Sequence, residues 1–131
     1  MSVADANFRE VKAFPAAAAT NYCDALDLGA NRVGAIGSNL TMHLKTPALT
    51  ALVDTKVITF VFQDSANGTD FDTVMPLDAA KLTGITGNGC AAKETRFYLP
   101  PDTRRYIRVG ATVESGGGSN VALSYTLEGR I

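Results

Sequence analysis

The chain has 131 residues, 46% of them hydrophobic and 19% charged, with a formal net charge of -1. That size and composition describe one globular domain and exclude a disordered chain, and the even spread of Lys and Arg speaks against a nucleic-acid partner. No apolar run approaches the roughly 20 residues that span a bilayer, and Cys23 and Cys90 are too few for a disulfide framework, so two reduced thiols are expected.

In chain order, residues 1–19 read as an N-terminal arm. Phe8, Val11 and Phe14 are apolar anchors in a segment with little strand or turn signal, and residues 4–13 are open to a short helix or to an extended segment lying on a neighbour. The charges in this segment stand where a secretory signal needs an apolar stretch, so export by that route is not expected. Residues 22–28 alternate weakly up to Gly29 and form a first strand, and the Gly, Asn and Ala of 29–37 form a loop.

Leu40, Met42 and Leu44 alternate with Thr41, His43 and Lys45 in a second strand stopped by Pro47. Residues 46–54 are compatible with a helical turn or a loop. Residues 57–63 (VITFVFQ) are apolar on both faces, the pattern of a central strand covered on each side. A turn at 64–70 holds Asn67-Gly68, and residues 71–77, broken by Pro76, suit an edge strand. Glycines dominate 79–92, a long loop with one short strand. Thr95, Phe97 and Leu99 alternate next, closed by Pro100-Pro101.

Two longer runs finish the chain. Ile107, Val109, Ala111 and Val113 share one face, and Val121, Leu123, Tyr125 and Leu127 share another. Gly116–Gly118 joins the runs either as a hairpin or as a crossover between stacked sheets, and alternation does not choose between them. Seven or eight short strands with glycine- or proline-rich connections predict an all-β, antiparallel sandwich or barrel. The expected core comprises Leu40, Met42, Leu44, Ile58, Phe60, Phe62, Phe97, Leu99, Ile107, Val109, Val113, Val121, Leu123 and Leu127.

Catalytic constellations do not emerge. His43 is the only histidine and is expected at the surface; no Gly-x-Ser-x-Gly elbow occurs, and both cysteines read as small buried hydrophobes. Asp64, Asn67, Asp70 and Asp72 miss the spacing of a calcium loop and read as a polar turn. Arg104, Arg105 and Arg108 suit carboxylate or phosphate groups, or a solvated strand face.

The runs Tyr22-Cys-Asp-Ala-Leu-Asp-Leu-Gly29, Val57-Ile-Thr-Phe-Val-Phe-Gln-Asp-Ser65 with Phe71, Arg96-Phe-Tyr-Leu-Pro100 and Arg105-Tyr-Ile-Arg-Val109 stand in an order that resembles the small jelly-roll capsid cement (decoration) proteins of tailed bacteriophages. The resemblance covers roughly residues 20 to 130. The arm over 1–19 lies outside it; for 20–131 it implies a jelly-roll β-sandwich, with the last two strands in opposite sheets. It implies a protein made in the host cytoplasm and placed on the exterior of the phage head, bridging major capsid protein subunits. It further implies a homo-oligomer, dimer or trimer, with no enzyme activity and no cofactor; the residues themselves give no sign of a metal, a nucleic-acid partner or a membrane. Phe8, Arg9 and Phe14 in the arm, with Arg104, Arg105 and Arg108, are the candidate capsid contacts. The alternative is a carbohydrate-binding or adhesin module, weakened by the absence of Trp; a jelly-roll hydrolase or isomerase is weaker still, with one histidine and no paired acids on one strand.

Overall fold

A computed structural model describes residues 4–29 and 41–130, with the side chains of 4–8 left out. Ten strands follow in order: β1 (Ala4–Ala13), β2 (Thr20–Tyr22), β3 (Leu26–Asp27), β4 (Thr41–Thr46), β5 (Val57–Ser65), β6 (Asp72–Pro76), β7 (Leu82–Thr83), β8 (Lys93–Tyr98), β9 (Tyr106–Val113) and β10 (Ser124–Arg130). A 3₁₀ turn at Asp78–Ala80 precedes β7, and no α-helix occurs among the described residues.

The strands form two antiparallel sheets. The first has the order β1-β10-β4-β8; the second runs β2-β9-β5-β6, with β3 beside β9 and β7 beside β5. Their facing sides form the core of a sandwich. On β9, Ile107, Val109, Ala111 and Val113 are fully buried, and Ile58, Phe60 and Phe62 of β5 meet them across the same face. Met42, Leu44 and Leu127 supply the opposing layer. Phe14, Phe60 and Tyr125 join the layers as a cluster of rings, with centroids 5.5 to 6.5 Å apart. Burial pushes the Tyr125 phenol up, with the neighbouring Cys23 adding to the shift, and its hydroxyl hydrogen-bonds Asn21 Oδ1 at 2.8 Å.

Several expectations change. Residues 4–13 are not a loose arm or a helix: they are an edge strand in antiparallel register with β10, from Arg9↔Glu128 to Ala13↔Ser124. Glu10 and Lys12 lie opposite the core residues Leu127 and Tyr125, so this strand points charges inward and its hydrophobic pattern is inverted. The first strand divides in two, β2 and β3, around Asp24-Ala25, and both halves pair with β9. β5 is central but covered on one side only: Thr59 is exposed while Val57 and Val61 are half-buried.

Gly116–Gly118 proves to be a crossover, since β9 and β10 lie in different sheets. Val121 precedes β10 in a turn and is 49% exposed, and Leu123 is only partly buried against the core. Leu40 lies outside the described residues. Cys23 is buried, with desolvation lifting its thiol pKa to about 11; Cys90 is half-buried, and both are free.

Candidate functional site

Where β5 ends and β9 begins, strand pairing brings three short polar sequences together. Asp64 lies opposite Ile107, and Gln63 opposite Arg108, in the β5–β9 register. A register shift between Phe62 and Gln63 lets Gln63, Asp64 and Ser65 all fall in buried surroundings. β3 adds Asp27 opposite Tyr106.

Each candidate arginine on this side is engaged within the chain. Arg104 donates from Nε to Asp64 Oδ1 at 2.8 Å, from Nη2 to the same oxygen at 2.6 Å, and from its backbone N–H to Oδ2 at 3.0 Å. The same Nη2 reaches the Asp64 carbonyl at 2.9 Å and Asp72 Oδ2 at 3.0 Å, tying the first residue of β6 to the strand beside it. Burial alone would raise the Asp64 carboxyl; the hydrogen bonds and charge of Arg104 outweigh it and hold that carboxyl below its usual range.

Arg105 grips Asp27 with two parallel bonds, Nε to Oδ1 at 2.7 Å and Nη2 to Oδ2 at 2.9 Å. The Asp27 Oδ1 also accepts the Gly29 N–H at 2.9 Å. A Cβ on Gly29 would stand 2.5 Å from Arg105 Nε, so the glycine makes room for the guanidinium. Arg108 donates to Gln63 Oε1 at 2.8 Å, and its guanidinium lies 4.0 Å from the Tyr22 ring centroid and 3.9 Å from that of Phe71. Stacking between two rings suits a planar, weakly hydrated cation. Tyr22 in turn lies against Gly110, where a Cβ would come within 2.5 Å of the ring.

The arm residues behave differently. Phe14 is 1% exposed and belongs to the core, so it offers no surface contact. Arg9 is exposed, with Nε 3.8 Å from Glu128. β1 contains Phe8, whose side chain lies outside the described residues.

A second polar centre on the outer face of the four-stranded sheet was missed. Glu128, its side chain 7% exposed, accepts from Lys45 Nζ at 2.9 Å and from Arg130 Nε at 2.8 Å. Burial raises its carboxyl, and these two cations more than reverse that, leaving it below the usual range. His43 lies opposite Glu128 and Arg96 and is 6% exposed, not at the surface as its sequence position implied. Long neighbouring side chains cover it. Its Nδ1 stands 3.4 Å from Glu94 Oε2 with no aligned hydrogen bond. The one signal in the sequence was Glu128 itself, an acid on the polar face of a strand; its partners depend on register.

The turn after β5 closes on itself. Asn67 donates to Asp70 Oδ2 at 2.9 Å and accepts from the Thr69 and Asp70 amides, while Ser65 Oγ accepts from the Asn67 and Gly68 amides. Among the described residues no group of three or more His, Cys, Asp or Glu side chains is gathered to hold a metal ion. A surface depression of about 280 Å³ beside the arginines is lined by Leu28, Gly29, Thr103, Arg104 and Arg105. Its two guanidiniums already face carboxylates, so their capacity for a further anion is largely spent.

Fold and site together define a two-sheet antiparallel β-sandwich whose loops are braced by arginines. No protein-family model matches the chain, and no curated protein matches it either.

Proposed function

We propose that the protein is a jelly-roll capsid cement protein, binding the exterior of a tailed-phage head and bridging its major capsid protein subunits as a homo-oligomer. The jelly-roll reading is supported by strand pairing. With the two-residue strands β3 and β7 set aside, the first strand pairs with the last, β1 with β10, and the second with the next-to-last, β2 with β9. The remaining pairs are β4 with β8 and β5 with β6. Successive pairs alternate between the sheets, as in one long hairpin rolled into a sandwich.

The observation that carries the functional reading is the convergence of the residues behind the resemblance. Seven of them form two contact sets on the second sheet: Asp27 and Gly29 meet Arg105, and Tyr22, Gln63 and Phe71 meet Arg108. Short motifs that merely coincided would not be expected to meet in pairs across strands so far apart in sequence. The cement reading needs no catalytic group or cofactor and assigns none; because folds host many functions, the test is functional.

Cement binds the assembled lattice and stabilises it by mass action. Phage heads carrying the protein are therefore expected to melt and release their genome at higher temperature than heads stripped of it. Identical melting curves, or pelleting with polysaccharide in place of emptied heads, would overturn the reading in favour of an adhesin.

A further inference from the structure

β8 ends the first sheet, and nothing pairs with its outer edge among the described residues. An edge strand leaves alternate N–H and C=O groups unpaired and is a template for another strand unless charge, proline, a bulge or a covering loop blocks it. The six residues Lys93–Tyr98 contain no proline, and their pairing with β4 runs in unbroken register from Thr41↔Tyr98 to Thr46↔Lys93. The neighbouring 3₁₀ turn lies beside β8, where Lys93 Nζ reaches the Lys81 carbonyl at 3.2 Å. No strand pairs along the rest of that edge among the described residues.

Outward-facing side chains on this strand are Glu94, Arg96 and Tyr98. Glu94 is half-exposed and lies near Lys45 and His43. Arg96 is exposed and has no acid partner among the described residues. Tyr98 is 74% exposed, a large ring left in water at the end of a sheet.

We propose that β8 pairs antiparallel with β8 of a second copy of this chain, about a two-fold axis through Thr95. A C2 contact of this kind must be self-complementary, residue i of one copy meeting residue j of the other and the reverse. Centring on Thr95 meets that condition: 94 lies opposite 96 twice, so each Glu94 faces an Arg96. The same register sets Tyr98 opposite Ala92, a small residue that leaves room for the ring. The two four-stranded sheets become one continuous eight-stranded sheet, the unpaired guanidinium gains a carboxylate, and the exposed ring is covered. A register shifted by one residue, with the axis between Thr95 and Arg96, would place Glu94 opposite Phe97 and lose both charge pairs. This pairing does not rest on the cement reading, because it concerns the free protein in solution.

Sedimentation equilibrium at millimolar protein, with folding checked by circular dichroism, tests it. The wild-type chain is expected at twice its 13.8 kDa mass. Glu94→Arg sets two pairs of cations across the axis and Arg96→Glu two pairs of acids, so each single variant is expected at the monomer mass. An equimolar mixture of the two single variants restores opposite charges at both positions and should recover a mixed dimer, as should the double variant E94R/R96E alone. The double variant keeps the composition of the wild type, so it guards against a single variant that fails to fold. A monomeric wild type would overturn the proposal. So would single variants that remain dimeric, which would put the contact elsewhere, or a mixture of monomers that does not recombine, which would mean that 94 and 96 do not face each other.

Discussion

β1 and β8 are the two edges of one sheet, and they meet solvent in opposite ways. On β1 the register carries Glu10 and Lys12 to the core side, over Leu127 and Tyr125, and Arg9, Val11 and Ala13 face out. On β8 the core side holds Thr95 and buried Phe97, with Lys93 on the same face at the strand's start, and Glu94 and Arg96 point outward. Inward-pointing charge is a recognised way to keep an edge from pairing. The contrast teaches that direction of charge, more than its amount, separates a closed edge from an open one. β1 is also anchored at its end, where Phe14 follows the strand into the core and its amide bonds the Leu123 carbonyl at 3.0 Å.

That anchor gives the largest expected effect. Phe14→Ala removes a ring packed on Phe60 and Tyr125 and is expected to cost about 3–5 kcal/mol, as is Phe60→Ala. Chemical denaturation measures both. A midpoint unchanged by Phe14→Ala would return residues 1–19 to the status of a dispensable arm and break the comparison at its root.

Why β1 was misread while β9 was not follows from the same side chains. Alternation reports which face a residue takes, and on β9 the apolar set Ile107, Val109, Ala111 and Val113 takes the inner face. On β1 the inner positions include Glu10 and Lys12, so the alternation of the described positions signals the wrong face. Alternation is also silent on partners, which is why a hairpin and a crossover after β9 were equally compatible with the sequence. The arginine braces were visible only as residue types, since Asp64 is 40 positions from Arg104 and Asp27 is 78 from Arg105. His43 reads as a surface residue because its strand position is polar; only the register with Glu128 and Arg96 covers it.

The braces extend the contrast to the second sheet. Asp64 is nearly buried, its side chain 9% exposed, whereas in the Asp27–Arg105 pair the carboxylate is 26% and the guanidinium 53% exposed. A buried carboxylate left without its donors carries a desolvation penalty that an exposed one escapes. Arg104→Ala is therefore expected to lower the melting temperature clearly, and Arg105→Ala only slightly. Equal shifts would mean that burial does not rank these pairs.

Acid sharpens the edge comparison. The Asp64 and Glu128 carboxyls are both held below their usual range, so the folded state binds fewer protons there than the unfolded chain. Their stabilisation is present above the ordinary carboxylate range, near pH 4, and is lost as pH falls through the depressed folded values. Glu10 has the opposite sign: burial, and then the charge of Asp24, raises its carboxyl. Its ionised form is disfavoured in the fold, so it detracts from stability once pH rises above the carboxylate range. Glu10→Gln is expected to raise the melting temperature modestly at pH 7 and to change it little below about pH 4, where the glutamate is protonated in both states. A lowered melting temperature at pH 7 would show that the inward charge is held by a favourable partner, and β1 would no longer be an edge closed at a cost.

The smallest expected effect belongs to the open edge. Arg96 is exposed on β8 and has no acid partner among the described residues. In the β4–β8 register it stands opposite the buried His43, the neighbour that its aliphatic stem is placed to shield. Arg96→Ala is expected to leave the denaturation midpoint of the dilute protein within about 0.5 kcal/mol of wild type, since surface side chains without specific partners contribute little. The measurement belongs at low concentration, where any association through β8 is absent and only the single chain is read. A loss well beyond that limit would mean that Arg96 supports the fold through its cover of His43. β8 would then be an edge maintained for stability, and its contrast with β1 would reduce to the facing of their charges alone.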